Sequence, residues 1–333
     1  MILLLHNRYR TTGGEERAVA DLLWLLREHI GEEAELIERD SAHLGRVRAG
    51  HALLRGGLDP DAVGAAVRRT GARVVHAHNV NPAFGARALA AARSAGARVV
   101  LHLHNYRLVC AVGTCFTRGE DCTRCHGRNT LPGVRLACRG SRVESAIYGA
   151  GLALHQRELA AAADAFVVPS AFALGRLEAL GAPLGGRARV VASVQRDIAD
   201  RSRAGAGEYA LFAGRLTTEK GPDLAVRACA AAGVPLVIAG AGPQAPALRA
   251  LAAGADVRFE GMVSAARLAE LRAHAGLAIV PSRYAEILPL AAAESMAAGL
   301  PTLAPPLGGL TDFVPVQEQF DSHDEEALAQ LVG

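Results

Sequence analysis

The sequence predicts an α/β protein built from two Rossmann-like, doubly wound parallel-sheet domains that face a cleft. Three observations carry this. Short apolar segments alternate with Ala/Leu-rich segments of helical period along the chain. The apolar segments are continuous Val/Ile/Leu runs, as strands covered on both faces require. A chain of 333 residues is also too long for one ordinary core, and a polar, Gly-containing stretch without periodicity interrupts the alternation at 195–208.

In order, strands are expected at 2–6, 35–39, 73–78, 98–104, 165–170 and 189–193, and then at 209–214, 235–240, 257–261, 277–282 and 301–305. Between the first two, 15–30 repeats Ala18, Leu22, Leu25 and Leu26 at helical spacing. This gives a first domain over 1–194, a linker over 195–207 and a second domain over 208–333. Ligands of such sheets bind beyond the C-terminal ends of the strands, so the loops after the strands are where chemistry is expected.

Half of the chain is hydrophobic and about a fifth charged, a folded globular composition, and aromatics at 4% leave an aliphatic core. Residues 1–195 carry 25 Arg against 17 acids, and 196–333 carry 10 Arg and one Lys against 16 acids. A basic first half suits an anionic acceptor or a peripheral membrane surface; compositional drift in an Arg-rich chain is the alternative. No apolar run reaches the roughly 18 residues of a membrane span. The opening residues read as a strand rather than a signal peptide. A soluble, cytoplasmic protein is expected, with the inner face of the membrane left open. Nucleic-acid binding has no positive feature beyond arginine content.

Three loops stand out. The first, 213–223, contains Lys220, the only lysine beside 35 arginines. Gly214 is expected to let the chain turn after a strand, with Arg215 and Lys220 at the two ends of a short loop. A guanidinium fork and a compact ammonium together suit a diphosphate. The second loop, 281–301, places Glu286 and Glu294 eight residues apart. Leu288-Pro289-Leu290 is expected to open a helix with Pro in its first turn, so that free N–H groups face an anion. Glu294 lies in apolar sequence and needs a partner, for which ribose hydroxyls are suitable. In the third loop, 10–19, Gly13 and Gly14 precede a helix opened by Glu15 and Glu16, allowing a ligand close to the backbone. Each loop read alone is equally a plain solvated turn.

Taken together, "GRLTTEKGPDLAVRA", "EILPLAAAE", the following "MAAGLPTLAPPLGGLTDFV" and the N-terminal Gly-Gly-Glu resemble the family-4 glycosyltransferases of GT-B architecture, over nearly the whole chain. The resemblance implies retaining transfer of a sugar from a nucleotide diphosphate sugar to an acceptor hydroxyl, with no cofactor or metal required for catalysis. The acceptor would be a small molecule, a lipid-linked molecule or a glycan. It implies that Arg215 and Lys220 hold the diphosphate, Glu286 orients sugar hydroxyls and Glu294 binds the ribose. The backbone around Leu288 and Leu290 would support phosphate and sugar, and His104 of "LHLHNYR" would be the active-site histidine. His76 and His78 compete for that role. The chain departs from the pattern at 190–200, where Asn-Gly-Val-Asp is usual, and at Ala241, where an acid is common. It also ends at Gly333, where relatives continue into a helix crossing back to the first domain, so that helix is expected to be short or absent. A non-catalytic glycosyltransferase-like subunit and a nucleotide-sugar epimerase are the rival readings.

Five of the six cysteines fall in an insert at 106–140. Cys122 and Cys125 form a C-x2-C knuckle flanked by Cys110 and Cys138, four thiolates that suit a structural zinc. Cys115 and His126 are alternative ligands, and free thiols or a disulfide are alternative states. Such a zinc would be closed and not catalytic.

Overall fold

The computed structural model describes residues 1–9, 13–196, 198 and 202–333. The chain divides into one compact unit of Met1–Thr117 with Cys122–Val194, and another of Gln195–Gly333 with Arg118–Asp121.

In the first unit the strands are β1 (Ile2–Arg8), β2 (Ala34–Asp40), β3 (Val74–Ala77), β4 (Arg98–His102), β7 (Ala165–Val168) and β8 (Ala188–Val190). They form one parallel sheet in the order β2-β1-β3-β4-β7-β8. A short hairpin, β5 (Phe116–Thr117) with β6 (Glu120–Asp121), lies within the cysteine-rich insert. The helices are α1 (Gly14–Trp24), α2 (Arg46–Arg55), α3 (Pro60–Thr70), α4 (Gly85–Ser94), α5 (Leu131–Arg135), α6 (Arg142–Ala162) and α7 (Ala171–Ala179). Leu3, Leu4, Leu5, Val75, Val99 and Phe166 are buried in the sheet, which is why these strands read as unbroken apolar runs.

The second unit has β9 (Tyr209–Ala213), β10 (Leu236–Ala239), β11 (Val257–Gly261), β12 (Ala275–Ile279) and β13 (Thr302–Leu303), all parallel in the order β11-β10-β9-β12-β13. Its helices are α8 (Pro222–Ala232), α9 (Ala245–Leu251), α10 (Ala265–His274), α11 (Leu290–Ala297) and α12 (Glu325–Val332). Phe212, Leu224, Val226, Ile238, Leu248 and Leu328 pack one face of this sheet. Leu211, Val237, Leu271 and Leu300 pack the other.

Both sheets reverse their winding next to their first strand, between β1 and β3 and between β9 and β12. At such a switch point two neighbouring loops part at the C-terminal edge and leave room for a ligand. The α/β class and its two parallel sheets are as the sequence predicts. Strands end earlier than expected after β3, β4 and β12, because the chain leaves the ladder where its loops begin. The hairpin in the insert escaped the sequence, since two-residue strands carry no periodicity. Of the polar stretch at 195–208, Asp197 and residues 199–201 lie outside the described residues, and Ser202 and Arg203 donate to the carbonyls of Ala298 and Ala273.

Gly214 differs from its expected role. It has room for a side chain, with only the Phe212 ring at 3.6 Å from an added Cβ. The tight approach comes from the neighbouring loop: a Cβ on Gly240 would sit 1.8 Å from the Gly214 oxygen, and one on Gly242 would sit 2.4 Å from the Leu216 oxygen. On the opposite side Gly221, at φ +64°, leaves no space for a Cβ, which would meet the Pro281 oxygen at 2.1 Å. Gly221→Ala is expected to destabilise the protein by about 1–3 kcal/mol from the left-handed backbone alone, with the clash adding to it. A lower midpoint of urea unfolding by far-UV circular dichroism checks this; an unchanged midpoint contradicts it.

Candidate active site

The loops after β9 and β12 meet at the switch point of the second unit. The β9 loop ends in a helical turn, Thr218–Lys220, and turns through Gly221 into α8. The ammonium of Lys220 donates to Glu286 Oε2 at 2.5 Å and lies 5.4 Å from the centre of the Tyr284 ring. Glu286 is 4% exposed, and Ser282 donates to its other oxygen. A Cβ on Gly308 would sit 2.5 Å from the Glu286 nitrogen, and the Gly309 N–H donates to the Glu286 carbonyl at 2.7 Å. The second loop is thereby backed by bare backbone. Burial, then the charge of Glu286, raises the Tyr284 phenol well above its ordinary range.

Arg215 is exposed and pairs with Glu219 at 3.4 Å. Arg283 clamps the loop from outside, donating to both carboxylate oxygens of Asp223 at 2.7 and 2.8 Å. Burial raises the Asp223 carboxyl, but the Arg283 guanidinium outweighs that and holds it below the usual range.

Helix α11 begins at Leu290, with Pro289 at its N-cap rather than in the first turn. The Pro289 carbonyl accepts from Ala292 and Ala293. Leu288 precedes the cap. Glu294 is 4% exposed and ion-pairs with Arg272 of α10, itself 1% exposed. The partner that a buried glutamate requires is therefore present within the protein.

In the first unit, Arg10, Thr11 and Thr12 lie outside the described residues. Gly13 caps α1 in an extended conformation, so its position does not demand glycine, and Gly14 is the first helical residue. The Glu16 carboxylate accepts from the N–H groups of Gly13 at 2.8 Å and Tyr9 at 3.1 Å, so the protein's own anion sits at this helix start. Burial raises Glu16, but His6 and these N–H groups more than offset it and lower its pKa. Arg107 donates to the Tyr9 hydroxyl at 2.7 Å and to Asn79 at 3.3 Å, and Tyr9 donates to Glu15 at 2.7 Å.

His104 follows β4, and its Nε2 lies 2.8 Å from His78 Nδ1. The four rings of His76, His78, His102 and His104 stack, with centroids 4.0–5.5 Å apart. Burial pushes His104 down to about 3 and His76 down to about 4, and holds His78 and His102 well below the ordinary range.

All six cysteines are free thiols. Cys110 hydrogen-bonds Cys115 and Cys125, and the Cys115 contact pushes its thiol up to about 11. Cys122 and Cys138 line the same small cavity. All four cysteines of the expected set, Cys110, Cys122, Cys125 and Cys138, line this cavity together with Cys115. Among the described residues the cysteines do not form a group of three ligand atoms within 4.8 Å of one another, whereas three histidines do.

Sequence reasoning missed Arg272, Ser282 and His102. Arg272 carries no signal in an arginine-rich chain. Ser282 ends a strand beside Glu286, and His102 alternates with His104 on one strand face, so both were within reach of register arguments.

Residues 207–333 match the family described as Glycosyl transferases group 1. A D-inositol 3-phosphate glycosyltransferase of Nocardiopsis dassonvillei is 37% identical over 125 residues, 32% of this chain and 29% of that protein. Its counterpart in Acidothermus cellulolyticus is 38% identical over 149 residues, 38% of this chain and 33% of that one. The chain thus spans about a third of the length of these curated relatives. Anabaena Alr3699/HepE, solved with UDP, superposes with a TM-score of 0.64 at 14% identity, covering 99% of this chain and 88% of that one. Sucrose-phosphate synthase from Thermosynechococcus elongatus gives 0.68 at 17%, with the same coverage. The fold is that of the GT-B glycosyltransferases. The match to the glycosyl transferases group 1 family falls within the second unit.

Removing Arg272 leaves a buried carboxylate without its cation. Arg272→Met is expected to destabilise the protein by about 3–5 kcal/mol, and Arg272→Met with Glu294→Met to recover most of it. Equal loss in the single and double variants by chemical denaturation contradicts a coupled pair.

Proposed function

We propose that this chain is a retaining hexosyltransferase that moves a sugar from a nucleotide diphosphate sugar to an acceptor hydroxyl. The observation that carries the reading is Lys220 set against the buried Glu286 at the switch point of the group 1 unit. The diphosphate takes donors from the Lys220 ammonium and from Arg215, which is exposed and held only by a 3.4 Å ion pair. An ammonium has three donors, so it can contact phosphate while still touching Glu286. Glu286 then has carboxylate capacity for sugar hydroxyls, and the N-terminus of α11 adds a favourable dipole.

In the reaction the bond from the anomeric carbon to the phosphate oxygen breaks, and its electron pair stays on the diphosphate. The acceptor oxygen bonds to the same face of that carbon, and its proton passes to the leaving phosphate. Lys220, Arg215 and the helix start meet the growing charge as fixed dipoles and cations, so the donor half of the chemistry needs no metal. His104 is assigned the sugar-side role by resemblance, and its neutral imidazole suits hydrogen bonding rather than ion pairing. The acceptor belongs to the first unit's more basic sequence, which favours an anionic or lipid-linked molecule.

The test is thermal stabilisation by UDP, GDP, ADP and dTDP. At least one is expected to raise the melting temperature, and Lys220→Ala to weaken its binding about 10–100-fold, as loss of a charged hydrogen bond implies. Lys220→Arg is expected to bind but turn over poorly, because a planar fork does not fit the ammonium's place. Product analysis with the matching nucleotide sugar is expected to show an unchanged anomeric configuration. No shift with any nucleotide favours a non-catalytic subunit and overturns the reading.

A further inference from the structure

The proposed donor chemistry uses His104 but leaves the other three histidines of the first unit's column unused. His76 in β3 and His78 just after it alternate onto one face, as do His102 and His104 at the end of β4. The register of β3 on β4, His76 against Val100, brings the two pairs side by side at the C-terminal edge of the sheet. His76, His78 and His102 each present a ring nitrogen, and the three nitrogens lie within 4.8 Å of one another. His78 is 3% exposed and His102 7%.

Their hydrogen bonding is incomplete. His76 Nε2, His78 Nε2 and both nitrogens of His102 are buried without a hydrogen-bond partner among the described residues. A buried polar group is unfavourable when nothing satisfies it. Several together, on imidazoles that stack against one another and bring three ring nitrogens within 4.8 Å, point to a ligand that accepts nitrogen lone pairs. A metal cation is such a ligand. Three neutral imidazoles with no carboxylate among them select a borderline metal such as Zn²⁺, Ni²⁺, Co²⁺ or Cu²⁺ over Mg²⁺ or Ca²⁺.

One contact already has the form a metal-bound histidine needs. His78 Nδ1 lies 2.8 Å from His104 Nε2. With the proton on His78 Nδ1, it donates to His104 and leaves His78 Nε2 free to ligate, as the outer partner of a ligating imidazole does.

We infer that His76, His78 and His102 form a site for a divalent transition metal, zinc in type, with His104 as the outer hydrogen-bond partner of His78. The rings are now nearly parallel, 17° between His76 and His78, so binding turns them toward a common point. The nitrogens then close to the roughly 3–3.5 Å that Zn–N bonds of about 2.0–2.1 Å impose. The site leaves a coordination position for an oxygen ligand. It is independent of the transferase reading, because metal binding is measured without donor or acceptor.

The experiment is titration of the chelator-treated full chain with Co²⁺, followed by optical absorption and by competition with Zn²⁺. One equivalent is expected to bind with visible ligand-field bands and without the near-ultraviolet thiolate charge-transfer band. His76→Gln and His102→Gln are each expected to weaken binding about 100-fold or more, and His104→Ala about 10-fold. Cys110→Ser is expected to change nothing. Nitrogen NMR of the wild-type imidazoles, with and without Zn²⁺, keeps the test decisive where a variant does not fold: the shifted signals must include His76, His78 and His102. Absence of binding to the wild-type chain overturns the inference. So does a thiolate band that Cys110→Ser removes while the histidine variants retain it; that result moves the metal to the cysteine insert.

Discussion

A single ammonium placed against a nearly buried carboxylate organises the second unit's ligand edge. Glu286 is nearly buried, and Lys220 reaches it because two loops come together at bare backbone. Gly221 permits one approach, against the Pro281 carbonyl, and Gly308 the other, against the Glu286 nitrogen. Gly240 and Gly242 do the same from beneath, against Gly214 and Leu216. A guanidinium is larger and planar, so the one lysine of an arginine-rich chain stands where a compact charge fits between a carboxylate and the Tyr284 ring.

Much of this was legible in the sequence. Buried parallel strands announce themselves as apolar runs, and the order of the runs implies two winding sheets. The Lys220 loop and the Glu286 loop could be placed at strand ends because β9 and β12 are strongly apolar. What stayed hidden depends on contacts far apart in the chain. Gly214 looked like the turn residue, but the space it borders is set by Gly240, 26 positions on. The cysteine spacing suggested a tetrad, and the insert adds Cys115 to those four around one cavity, with a hairpin too short to leave a pattern.

The first unit spends its polar groups differently. Around the end of β1, hydrogen bonds link Tyr9 to Glu15, Glu16 and Arg107, and Arg107 to Asn79. At the ends of the neighbouring β3 and β4 the histidines stack instead, with several ring nitrogens unpartnered among the described residues, and burial keeps them neutral. The contrast is informative because both clusters sit at the same edge of one sheet. The first cluster, which carries charged groups, ties loops to one another; the second, of neutral imidazoles, is suited to receive something from outside the chain.

The two glutamates of the 286–294 segment make the same distinction inside the second unit. Both are 4% exposed and both have a cationic partner. Glu286 is held by an ammonium from a loop, on a flexible stem with three donors, so its contacts can be shared with an incoming anion at little electrostatic penalty. Glu294 is held by a guanidinium from the last turn of the packed α10, and withdrawing that partner would leave two buried charges unpaired. A ligand hydroxyl can therefore add to Glu294 but cannot displace Arg272. In the proposed reaction, exchange of partners falls to Lys220 and Glu286, while Arg272 and Glu294 fix α11 against α10.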